Sequence, residues 1–141
     1  MSLQSWWIYA LLSAFFASLT AIFAKVGIKG VDSDVATAIR TVFILFITWG
    51  IVTSRGQLST IQNLSKTNWT FITLSAIATA LSWIFYFRAL QVGKVSLVAP
   101  IDKASLALTI LLSVVFLGES LTVKTVLGAG LILAGVFTLI L

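Results

Sequence analysis

The residues with the most chemical potential in this chain are Asp102 and Lys103, adjacent charges inside a long apolar run, and Arg40, a lone guanidinium inside another. Ionisable groups at bilayer depth cost roughly 3 kcal/mol each on insertion scales, and they mark a substrate path, an ion site or an internal pair. Adjacent helical residues diverge by about 100°, so a simple side-by-side Asp102–Lys103 bridge is not expected, and each should find another partner. Arg40 is the expected partner of Asp102, since both lie near helix beginnings on one side. The alternatives are a shallow Asp102-Lys103 with Lys103 reaching back to the interface, and an Arg40 that reaches headgroup phosphates. Arg88, nearer its helix end, is expected to reach the interface in the same way.

Polar residues of the other runs fall on helical stripes. Asp102, Ser105, Thr109 and Ser113 step by three, four and four residues, and Ser75, Thr79, Ser82 and Tyr86 by four, three and four. Trp6, Tyr9, Ser13, Phe16 and Thr20 make a third stripe. Such stripes line a wettable interior, or else they bond to their own backbone and glue helices together. The candidate substrate-binding residues are therefore Asp102, Lys103, Arg40, Tyr86, Ser82, Thr109 and Ser105.

Other chemistry is excluded by composition. The 141 residues contain no His and no Cys, so a His or Cys metal site, a thiol nucleophile and a Ser-His-Asp triad cannot be built. No catalytic residue, cofactor or metal is expected, and an intramembrane enzyme would have only scattered hydroxyls and the charged pair to use. The net charge of +5 comes from scattered Lys and Arg, not from a basic stripe interleaved with aromatics, so nucleic acid is not an expected partner.

The elements that must position these residues are membrane helices. Hydrophobic residues make up 60% of the chain and charged ones 9%, against about 25% charged in soluble domains. Apolar runs at about 6–24, 35–52, 69–89, 95–116 and 123–141 predict an all-α integral membrane bundle of five transmembrane helices in one domain, 1–141. The first run is read as a retained helix and not a signal peptide. Asp32-Ser33-Asp34 is read as the cap of the second helix, Ser120 or Thr122 as that of the fifth, and Glu119 as a cap or anchor of the preceding turn. Pro100 falls in the opening turns of the fourth. Gly128, Gly130, Ala134 and Gly135 would let another helix approach the fifth closely. Trp6, Trp7, Tyr9 and Trp69 are read as interface anchors.

With five spans, one face carries Arg55, Lys66 and Lys124, and the other Lys25, Lys29 and Lys94, with Arg88 and Arg40 near it. Lys and Arg in short loops set orientation, so this near balance predicts insertion in both directions. The alternative is that a small excess on the second face places the N-terminus outside.

Several segments resemble the EamA domain of the drug/metabolite transporter superfamily. They are Tyr86-Phe87-Arg88-Ala89-Leu90-Gln91-Val92-Gly93, Val98-Ala99-Pro100-Ile101-Asp102-Lys103, Phe116-Leu117-Gly118-Glu119-Ser120-Leu121-Thr122 and Ala38-Ile39-Arg40. Most members fuse two five-helix halves in opposite orientations. The resemblance therefore implies a single EamA-like half that pairs with an inverted copy, or with a homologous half, around a small-molecule substrate near the midplane. It also implies a multi-pass protein of the cytoplasmic (inner) membrane. The resemblance to small multidrug exporters is weaker, because the first helix lacks a carboxylate, and Asp102 would have to serve any proton coupling. Net basic deep charges favour a carboxylate-bearing, amino-acid-like solute. A second reading is a non-transporting subunit that scaffolds or regulates a larger complex.

Overall fold

The computed structural model describes residues 6–141. Its helices are α1 (Trp6–Gly27), α2 (Ser33–Ser54), α3 (Lys66–Val92), α4 (Val95–Asp102), α5 (Ser105–Leu117) and α6 (Val123–Ile140), with a short 3-10 helix at Leu58–Asn63. Five stretches are long and apolar enough to cross a membrane: α1, α2, α3, the run Val95–Leu117 and α6. The fold is all-α and membrane-spanning, as the composition predicts. At about 1.5 Å per residue, α1 and α2, each 22 residues long, match a hydrocarbon core of about 30 Å.

The ends of these helices follow from local chemistry. Asp32 caps α2, its carboxylate accepting the N–H of Asp34 at 2.9 Å and of Val35 at 3.3 Å. Thr122 caps α6 by accepting the Thr125 N–H at 3.1 Å. Gly118 closes α5 in the left-handed region at φ 67, which costs little without a side chain, and the Glu119 N–H reaches back to the Ser113 carbonyl. Helix α3 outruns its apolar core by a turn at its start, where the Ser65 hydroxyl accepts the Asn68 N–H at 3.1 Å.

The fourth span departs from the expected continuous helix. It breaks at Lys103 and Ala104, where hydrogen bonds tighten to a three-residue reach: Lys103 to Pro100, Ala104 to Ile101, Leu106 to Lys103 and Ala107 to Ala104. Pro100 is not at the break. The bond its missing N–H forgoes would have gone to Ser96, a turn earlier.

The chain divides into two compact units, one formed by the residues up to Ile22 with Val92–Leu141, the other by Phe23–Gln91. In the first, α6 packs on α4 and α5 through the face that carries Thr125, Ala129, Ile132, Leu133 and Val136, the least exposed positions of that helix. Its glycines lie off that face. A Cβ added at Gly128, Gly130 or Gly135 would meet nothing within 4 Å, so the close approach expected there is not made by this chain's own helices. In the second unit, α2 and α3 form an antiparallel hairpin, and the buried residues Ile28, Ser33, Thr37, Phe87 and Leu90 gather at the end away from its connection. Most of the other large apolar side chains are exposed, as lipid-facing residues are.

Candidate functional site

The second unit concentrates its polar contacts at that same end. Arg88, in the late turns of α3, forms a fork on Asp34 in the first turn of α2: Nε donates to Oδ1 at 3.2 Å and Nη2 to Oδ2 at 2.7 Å. This corrects the expectation that Arg88 simply reaches the interface. Because Asp32 supplies the cap, the Asp34 carboxylate is released to take the bidentate pair, the geometry that suits a guanidinium best. The Lys25 ammonium donates to the Leu90 carbonyl, and Gln91 Nε2 to the Val31 carbonyl at 2.7 Å. The end of α3 is thereby tied to the connection between α1 and α2.

Arg40 lies about two turns into α2 and is half-buried. Its guanidinium carbon sits 4.1 Å from the centre of the Trp83 ring and 5.3 Å from that of Phe87. A cation over aromatic faces gains roughly 0.5–2 kcal/mol, more as water is removed. Tyr86 stands beside this site, its ring edge-on to Phe87 at 6.4 Å. Within its own unit Arg40 forms no ion pair with a carboxylate, and its guanidinium rests on the aromatic rings of α3.

In the first unit, Asp102 and Lys103 do pair with each other, Nζ to Oδ2 at 3.2 Å, against the expectation from helix geometry. That expectation assumed a continuous helix. Lys103 is instead the capping residue of α4, and the break lets its long side chain fold back onto its neighbour.

The hydroxyl stripes bond to their own backbone. Thr20 donates to Phe16 at 2.9 Å, Thr79 to Ser75 at 2.8 Å, Thr109 to Ser105 at 2.9 Å and Ser113 to Ile110 at 3.0 Å. Each of these hydroxyls has spent its hydrogen and presents oxygen lone pairs, so the stripes offer acceptors. Ser82 lies exposed on α3, one turn before Tyr86, and Ser105 exposed at the start of α5, while Thr109 and Ser113 border an open groove of about 280 Å³ along that helix. The break removes Asp102 from the continuous stripe, which now begins at Ser105. Trp6, Trp7, Tyr9 and Trp69 are all more than half exposed, as anchors in an interface are.

Sequence reasoning missed the Asp34–Arg88 fork and the aromatic seat of Arg40. The signal for both was topological: the start of α2 and the end of α3 must share a side of the membrane, so residues 34–40 and 83–88 are brought level.

The comparisons with known proteins agree with this architecture. The profile of the EamA-like transporter family matches residues 4–141. The chain is 47% identical, over 136 residues and 96% of both chains, to a protein of a Sinorhizobium species described as an uncharacterized transporter in the cobO 3' region. It is 34% identical over 70 residues, half of each chain, to an uncharacterized protein of Methanocaldococcus jannaschii. No solved structure matches it. The chain belongs to the EamA-like transporter family.

Proposed function

We propose that this member of the EamA-like transporter family exports a small carboxylate-bearing solute, amino-acid-like in class, as an antiparallel homodimer with alternating access. The observation that carries the proposal is the state of the fourth span. It is broken beside an ion pair, yet none of its most apolar window is buried within the chain. Irregular backbone at membrane depth is tolerated only where protein covers it or where it lines a water-filled cavity. A second copy supplies the cover, and the space between the two copies supplies the cavity.

An inverted copy fits the requirement because five spans per chain place the two ends on opposite sides, so only an upside-down partner reproduces the pseudo-symmetric ten-helix unit of inverted-repeat transporters. The balanced loop charges permit that insertion. A homologous half in place of an identical copy satisfies the same geometry, and the cytoplasmic membrane is the proposed site of both.

The carboxylate preference rests on Arg40. Within its own unit its charge is balanced by no carboxylate, so a substrate anion is the group that would complete it. Beside Arg40, Ser82 and Tyr86 of α3 would be polar lining in the same unit, and in the other unit Asp102, Lys103, Ser105 and Thr109 are the candidate solute contacts, each set taken by itself. In this reading the protein moves its ligand and does not transform it.

The backbone-bonded hydroxyls favour one other reading, in which the stripes are assembly surfaces of a non-transporting subunit. Proteoliposomes decide between the two. Flux of labelled amino acids or organic acids by the purified chain supports transport. Flux of quaternary cations alone would overturn the substrate class, and no flux of any solute by an intact dimer would favour the subunit.

A further inference from the structure

One cleft in the second unit falls outside the transport site. It measures about 470 Å³, within the range of small-molecule sites, and its walls include Lys25, Lys29, Gly30, Val31, Asp32 and Gln91. We propose that this cleft binds a phosphate monoanion at the surface of the bilayer, the phosphodiester of a net-anionic lipid headgroup, one with no cation of its own to balance it, and free phosphate being two sources of the same chemistry.

Charge is the first support. Two ammonium groups face one carboxylate, which leaves a single positive charge for a monoanion to neutralise. The carboxylate is itself engaged, since Asp32 accepts the Asp34 and Val35 N–H groups at the start of α2. Asp34, the other acid nearby, is held by Arg88 and does not compete. Lys29 is exposed and forms no ion pair among the described residues.

Preorganisation is the second. The loop carrying Lys29 is fixed from both ends, by Lys25 on the Leu90 carbonyl and by Gln91 on the Val31 carbonyl. Between them Gly30 turns the chain at φ 72, a left-handed conformation that side chains disfavour. The third is position. The cleft lies where α1 ends, α2 begins and α3 ends, so it sits at headgroup depth, where basic pockets between helix ends recognise anionic lipids.

The test uses the full chain in nanodiscs of phosphatidylcholine. Thermal unfolding is followed as phosphatidylglycerol is added to the lipid, and separately as inorganic phosphate is added to the buffer. A ligand that binds the folded state raises the midpoint. The expected result is a rise that K29Q weakens, with apparent affinity lowered about five-fold, while K29R and the control K66Q keep it. A rise with phosphatidylglycerol alone assigns the headgroup as source, and a rise with both assigns phosphate in general. The proposal is overturned if neither ligand moves the midpoint, if K29Q responds like the wild type, or if K66Q loses as much as K29Q. Lys29 is exposed, so K29Q should unfold at the wild-type midpoint in phosphatidylcholine alone.

Discussion

Asp34 and Arg88 close the α2–α3 hairpin at the end opposite its connection, through parallel hydrogen bonds of 3.2 and 2.7 Å. The two helices are thus joined covalently at one end by residues 55–65 and ionically at the other. Both side chains are about half exposed, so the bond's strength depends on its fork geometry and on the surrounding medium.

Breaking this fork should loosen the hairpin. D34N and R88Q are each expected to lower the unfolding midpoint in detergent, and the exchange D34R/R88D to recover part of the loss. High salt should shrink the difference between wild type and variants, because exposed pairs are screened. Equal midpoints for all four proteins at low salt would mean that the fork contributes nothing.

At the break in the fourth span, D102N and K103M are each expected to reduce solute flux about ten-fold or more, the equivalent of about 1.4 kcal/mol. Crosslinking should find the dimer intact in both. K103R, which keeps the charge and the reach back to Asp102, should retain most of the flux. Normal flux in D102N would remove the carboxylate from the pathway.

For Arg40 the expected signature is selectivity. R40Q should lose transport of carboxylate solutes by about ten-fold or more while leaving any neutral analogue less affected, and W83L should raise the apparent Michaelis constant by loosening the guanidinium's seat. Competition assays with acid and amide pairs of one solute measure this directly.

Orientation offers a fourth test. Reporters that work on only one side of the membrane, fused at the C-terminus, should both give signal. Q57K with N63K adds two basic residues to the face that already carries Arg55 and Lys66, and should collapse the population to one orientation with loss of flux. Co-expression with a variant biased the other way should restore it. Signal from a single reporter in the wild type would leave no antiparallel pair.

Much of the fold was legible because membrane helices follow a one-dimensional rule: an apolar run of sufficient length must span, and its ends are marked by residues such as Asp32, Gly118 and Thr122. The break at Lys103 and Ala104 was not, since no glycine stands there and Pro100 acts a turn earlier. What the sequence displayed was only the consequence, two charges side by side where a continuous helix would keep them apart. The aromatic seat of Arg40 was missed because Trp83 and Phe87 on α3 can hold a guanidinium as a carboxylate can, and composition does not say which helix face meets which. Hydroxyl spacing was visible, but whether a Thr spends its proton on its own helix is decided by rotamer, which spacing does not encode.

A hairpin held at both ends does not need its covalent link to stay together. With Asp34 and Arg88 gripping at the far end, a nick within Leu58–Asn63 leaves two fragments that still carry a matched lock and key. Genes cut at that point and expressed as separate pieces should therefore reassemble in the bilayer, giving a split version of the protein whose reunion draws on the fork together with the seat of Arg40 on Trp83 and Phe87 and the ties from Lys25 and Gln91.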